Sequence, residues 1–117
     1  MMNQLTMVGR LVSDPIVKED ENGTKRMNFV IAVPRSYKNA DGVYETDFVD
    51  CVTWNGSATL TQQYCKKGDM LGVRGRIETS NYEKDGEKRK STEVVVERMT
   101  FLSSSKEHSK DNEDLEV

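Results

Sequence analysis

Apolar and polar positions alternate most legibly from Asp47 to Trp54, read Asp-Phe-Val-Asp-Cys-Val-Thr-Trp. Successive strand side chains point to opposite faces, so Phe48, Asp50, Val52 and Trp54 share one side while Val49, Cys51 and Thr53 take the other. Val49 and Cys51 read as core. That leaves the only Trp and a Phe on a face that also carries a carboxylate. Either these rings pack under a loop or a partner subunit, as large aromatics usually do, or they form an open platform on which flat ligands stack.

The same alternation places other strands. Leu5, Met7 and Leu11 face one way and Gln4, Thr6 and Arg10 the other, with Gly9 expected at a bulge or bend before Asp14-Pro15 breaks the first strand. Ile16 to Glu19 resumes extended structure ahead of Asn22-Gly23, a dipeptide that favours a type I′ turn. Met27 to Val33 is the second strand, ended by Pro34, and the polar run Ser36 to Glu45 reads as a long loop carrying Tyr37 and Lys38 into solvent. Asp47 to Trp54 is the third strand. Asn55 or Ser57 is placed to cap a short helix bearing Leu60 and Tyr64, with Lys66 and Lys67 at its C-terminal dipole and Gly68 in the left-handed position beyond.

Leu71, Val73 and Ile77 then read as core, while Arg74, Arg76, Glu78, Ser80 and Tyr82 share the opposite parity. Asp85-Gly86 turns a charged hairpin into a fifth strand, Thr92 to Leu102, centred on Val94, Val95 and Val96. Five strands with one short helix between the third and fourth predict an all-β protein of the OB-fold, a Greek-key barrel that binds oligonucleotides or sugars across its second and third strands. Residues 1–105 form the expected domain and residues 106–117 a disordered acidic tail.

With 117 residues the chain is long enough for one core. No apolar run approaches membrane-spanning length and no signal peptide is evident, so a cytoplasmic protein without membrane contact is expected. Cys51 and Cys65 lack metal-ligand spacing and read as free core thiols; neither a metal nor a cofactor is implied. The net charge of −3 argues against a nucleic-acid partner until it is divided along the chain. From Lys106 onward two Lys meet five acidic residues, which leaves 15 basic and 15 acidic residues in the body. A neutral body can still carry a basic groove if the signs are segregated. An enzyme is not expected: His108, the only His, lies in the tail, and no phosphate-binding Gly-Lys-Ser/Thr loop is present.

The segments Met7-Val8-Gly9-Arg10-Leu11, Asp14-Pro15, Asn22-Gly23, Phe29 to Val33, Asp47 to Trp54, Tyr64 to Gly68, Gly75-Arg76-Ile77 and Thr92-Glu93-Val94 occur in order at characteristic spacing. Through them the chain resembles the bacterial single-stranded DNA-binding proteins of the homotetrameric type, from about Gln4 to Leu102. The resemblance implies sequence-tolerant binding and protection of single-stranded DNA in replication, recombination or repair, within the nucleoid. It also implies base stacking on Tyr37, Phe48, Trp54 and Tyr82. Arg35, Lys38, Arg74 and Arg76 are the phosphate-contact candidates, with Arg10 and Lys18 as weaker additions.

The chain departs from the family pattern in several places. Glu78, Ser80 and Asn81 stand where relatives often carry basic residues, and Asp50 stands where a basic or amide side chain is common. The end, Asn112 to Val117, keeps acidity but lacks the linker and the Pro-Phe tip with which relatives dock replication and repair proteins. This shortened form resembles accessory paralogues or members encoded by phages and mobile elements. The competing expectation is an OB-fold adaptor of a primosome or conjugation apparatus that binds DNA weakly.

Overall fold

A computed structural model describes residues 1–103. The domain boundary expected at residue 105 and the acidic tail lie outside the described residues.

Six strands and one helix follow in the order β1 (Leu5–Leu11), β2 (Val17–Glu19), β3 (Lys25–Lys38), β4 (Tyr44–Trp54), α1 (Asn55–Tyr64), β5 (Met70–Lys84) and β6 (Glu87–Ser103). They form one sheet ordered β1-β5-β6-β4-β3-β2, which closes on itself because β1 also pairs β3 through Arg10–Ala32 and Leu11–Ile31. Only β4 and β6 run parallel, joined at Cys51–Val94 and Val52–Val95. This is the expected OB-fold barrel, with the helix between the same two strands. The added element is β2, three residues long and hung on the start of β3.

The core is made of the residues whose parity points them inward: Leu11, Met27, Phe29, Ile31, Cys51, Leu71, Val73, Val94 and Val96, with Ala58 and Cys65 from the helical side. Both thiols are free and buried. Helix α1 presents Ala58 and Thr61 to this core, while Leu60 and Tyr64 stay exposed. Its expected caps do not form. Trp54 holds the N-cap position with no side-chain bond, and Asn55, at a φ of 51°, accepts instead from the Lys25 amide at 3.1 Å. Lys66 and Lys67 fall beyond the last helical turn; Gly68 has the expected positive φ, 92°, within the 66–69 turn that follows.

Close approach, rather than a bulge, explains Gly9. A Cβ there would meet the Ile31 side chain and the Ala32 carbonyl where β1 crosses β3. In the β5–β6 ladder Gly75 plays the same part against the Val95 carbonyl, next to the register shift between Arg74 and Gly75.

The larger difference lies in the hairpins. Pro34 does not end β3. The ladder continues through Pro34–Thr46 to Lys38–Tyr44 across an irregularity, which tolerates a residue with no N–H to donate. The expected ten-residue loop shrinks to residues 39–43, where the Asn39 side chain accepts from the Asp41 and Val43 amides and Gly42 turns the chain at a φ of 77°. The 20–23 turn is built alike around Asp20 and Gly23. Only Gly23 has a positive φ there, so the expected type I′ geometry is absent. Asp85 and Gly86 do both have positive φ, 55° and 78°, and set a tight two-residue turn between the paired Lys84 and Glu87. Ile77, read as core, lies where this second hairpin leaves the barrel and is 46% exposed. Among the described residues no helix is long and apolar enough to cross a membrane.

Candidate nucleic-acid interface

Directly paired residues project to the same face of a sheet, so the register identifies which side chains meet. On the outer face of β4, Phe48 lies opposite Ala32, Asp50 opposite Val30, Val52 opposite Asn28 and Trp54 opposite Arg26. One row therefore runs Asn28, Val52, Val95, Arg76 across four strands. Val52 and Val95 in this row are buried although they stand outside the core cluster. On β5 the same parity carries Glu78, Ser80 and Tyr82, and Tyr82 faces Arg89.

Three of the four candidate rings are open to solvent: Phe48 is 66% exposed, Tyr37 63% and Tyr82 47%. Phe48 sits on the barrel wall, Tyr37 near the end of the β3–β4 hairpin and Tyr82 on the β5–β6 hairpin. Trp54 is only half-buried, and the Arg26 guanidinium lies over its ring, 5.7 Å from the centroid. Planar guanidinium and indole groups both accept a stacked base.

Each predicted cation has a definite environment. Arg35 is clamped: its Nε and Nη2 donate to the Asp47 carboxylate at 3.0–3.3 Å, and Nη1 donates to Glu45 Oε2 at 2.7 Å. These bonds, with Asp47's first, raise the Arg35 pKa above its ordinary value, and the Arg35 hydrogen bonds hold Asp47 below the usual carboxylate range. Arg76 donates to Glu78 Oε2 at 2.8 Å. Lys38 stands over the Tyr44 ring, 5.6 Å from its centroid. Arg74 is set apart from the rings, in a groove with Thr6, Val8, Gly72, Arg98 and Leu102 on the outside of β1, β5 and β6. Arg10 donates to the Gly68 carbonyl at 2.9 Å, and Lys18 belongs to the short β2, opposite Arg26.

Sequence reasoning missed five residues at this face. Arg26 holds Trp54, donates through Nε to Asn28 Oδ1 at 3.2 Å and approaches Glu93 at 3.7 Å. Tyr44 is an additional exposed ring. Lys88, Arg89 and Lys90 line a cleft with Asn81 and Tyr82. A signal for the last three was present. A two-residue turn at Asp85-Gly86 fixes 84 opposite 87, and hence Tyr82 opposite Arg89.

Open rings on strands, interleaved with Arg and Lys, can stack planar groups and neutralise anions along a track. The fold and this surface together define an OB-fold barrel with an open face of rings and basic side chains. The chain belongs to the Single-strand binding protein family, whose model it matches over residues 2–102.

Similar proteins include "Single-stranded DNA-binding protein 3" of Listeria innocua, 42% identical over 105 residues, covering 89% of this chain and 66% of that protein. "Single-stranded DNA-binding protein" of Bacillus cereus is 43% identical over 103 residues, covering 87% of this chain and 61% of its own length. "Single-stranded DNA-binding protein B" of Bacillus subtilis is 41% identical over 103 residues, covering 87% and 91%. The chain thus spans under two thirds of the longer relatives and nearly all of a short one.

Proposed function

We propose that this protein is a non-catalytic binder of single-stranded DNA that coats the strand, prevents re-pairing and shields it from nucleases. The observation that carries this reading is the Phe48 ring, left 66% exposed on the barrel wall in a row that continues to Trp54. A ring of that size in the middle of a strand is normally covered; here it offers a face to any base. Tyr37 and Tyr82, each on its own hairpin, extend the platform to either side, and family membership supports the same use. Replication, recombination or repair in the nucleoid of the cytoplasm is the setting such coating serves. The acidic tail provides a contact for replication or repair proteins.

Assembly into a homotetramer is part of the proposal. Val8 and Leu102, 49% and 47% exposed, line a groove with Gly72 on the outside of β1, β5 and β6, away from the rings. These exposed apolar side chains, bordered by Arg74 and Arg98 in the same groove, support self-association.

A second reading is favoured by the ion pairs. Arg35 and Arg76 are engaged by the chain's own carboxylates, as in an adaptor that kept the barrel and binds DNA weakly. Trp54 emission separates the two. Stepwise addition of a dC or dT homopolymer quenches Trp54 in a DNA-binding protein, and rising salt reverses it; emission that stays flat at low salt refutes the proposal and leaves the adaptor.

A further inference from the structure

Below the Cys51–Val94 pair β4 and β6 separate. A cleft of about 350 Å³ opens there, lined by Asn28, Val30, Asp50, Ser91, Thr92 and Glu93 among others. Its volume falls at the lower end of small-molecule sites, and it lies between Phe48 and Trp54 along β4, because Asp50 does. On the proposed function, a base passing from one ring to the other meets this lining.

The polar groups of the cleft are not neutral toward the four bases. A carboxylate only accepts hydrogen bonds. Asp50 forms no hydrogen bond or ion pair among the described residues, so its oxygens are available to a ligand. Glu93 adds a second acceptor, approached by Arg26 at 3.7 Å. The Asn28 carbonyl oxygen is already taken by Arg26 Nε at 3.2 Å, which leaves the amide N–H groups to donate. Acceptors on β4 and β6 thus lie beside a donor on β3.

We propose that Asp50, with Asn28 beside it, makes this cleft select bases that carry an exocyclic amino group and reject thymine. Cytosine donates its N4 amino group to the Asp50 carboxylate and accepts from Asn28 at N3 or O2. Adenine offers the same pairing through N6 and a ring nitrogen. Guanine presents N1–H and N2–H together to a carboxylate. Thymine has one donor, N3–H, flanked by two carbonyl oxygens that face the carboxylates with like partial charge. Carboxylate acceptance from the cytosine amino group is an established mode of base readout, and a site that leaves its polar groups unpaired discriminates strongly.

The inference rests on single-stranded DNA binding and is tested against it by comparing dC and dT homopolymers of equal length by fluorescence anisotropy at one salt concentration. The wild-type protein is expected to bind dC about tenfold more tightly than dT, the effect of one good hydrogen-bonded base contact. Asp50→Ala brings that ratio to about one, because dC loses its acceptor and dT loses its repulsion. Asp50→Asn, which keeps the shape and can donate or accept, also narrows it. Equal wild-type affinities for dC and dT, or a dC preference that survives Asp50→Ala, overturn the assignment while leaving the function standing. Failure of the wild-type protein to bind either strand, with Trp54 emission unchanged, overturns the function and the selection together.

Discussion

Replacing Phe48 with Ala isolates the ring from everything else it touches. The ring is 66% exposed, its cross-strand partner is Ala32, and it lies outside the core cluster. Truncation therefore opens no cavity, and the folding free energy should stay within about 0.5 kcal/mol of wild type. Binding is another matter. One base–aromatic stack is worth roughly 1–3 kcal/mol by truncation, which at 1.4 kcal/mol per tenfold is about a 5- to 150-fold rise in Kd. Anisotropy with a labelled homopolymer reads the second quantity and urea unfolding the first. Phe48→Leu separates planarity from apolarity: it keeps most of the greasy area but offers no flat face, so it should bind nearly as poorly as Ala. A Phe48→Ala protein that binds within twofold of wild type refutes the stacking platform. A lowered urea midpoint refutes it differently, by showing that the ring is covered in the assembled protein.

Freeing Arg35 by the double change Glu45→Gln and Asp47→Asn gives single-stranded DNA one more cation to engage. The slope of log K against log salt should steepen by about 0.7, and an unchanged slope in a salt titration means Arg35 is not near phosphate. Gly75→Ala drives a Cβ into the Val95 carbonyl, 2.9 Å from its carbon, where backbone must move; urea unfolding should show a loss of about 3 kcal/mol or more, and a loss under 1 kcal/mol contradicts the close approach. Burial pushes the Cys51 thiol up to about 12, helped by Asp50 and Glu93, and Cys65 up to about 11, from an ordinary 9.0. Both favour the neutral thiol in the folded protein, so their stabilisation is complete below pH 9 and lost as pH rises from there toward 11–12. Thermal midpoints of wild type and Cys51→Ala should converge over that range; a constant gap refutes the burial effect.

The barrel wall was legible because it obeys a period of two against a single core. Val94 and Val96 point in, Phe48 and Asp50 point out, and nothing tertiary is needed to see it. The hairpin ends were not legible, for a physical reason. Residues 36–38 and 44–48 are exposed, so a paired strand with water on both faces has the composition of a loop. Pro34 then appeared to end a strand that in fact continues past it at an irregular register. The Arg35–Asp47 and Arg26–Trp54 contacts span 12 and 28 positions in sequence and exist only because the β3–β4 register sets Val33 opposite Asp47 and Arg26 opposite Trp54. Local rules misplace the helix cap because the Asn55 side chain accepts from the Lys25 amide, a tertiary partner that such rules cannot supply.

On the proposed function, the same register decides how a strand of DNA is held. Near the rings, Arg26 approaches Glu93, Arg35 is held by Glu45 and Asp47, Arg76 by Glu78 and Arg89 by Glu87. A phosphate reaching any of these meets a cation whose charge a carboxylate already offsets, so it gains less than it would at a bare cation. Among the described residues Lys38, Lys88 and Lys90 near the rings have no such ion pair. Three neutralised phosphates give a salt slope of about −2 per subunit, shallow for a face with this many basic residues. Stacking must then dominate: Phe48→Ala should weaken binding more than Arg76→Ala at every salt concentration, and the two curves should not cross. If Arg76→Ala proves the costlier change at low salt, or the wild-type slope exceeds about −4 per subunit, the paired arginines are released on binding and electrostatics, not the rings, hold the strand.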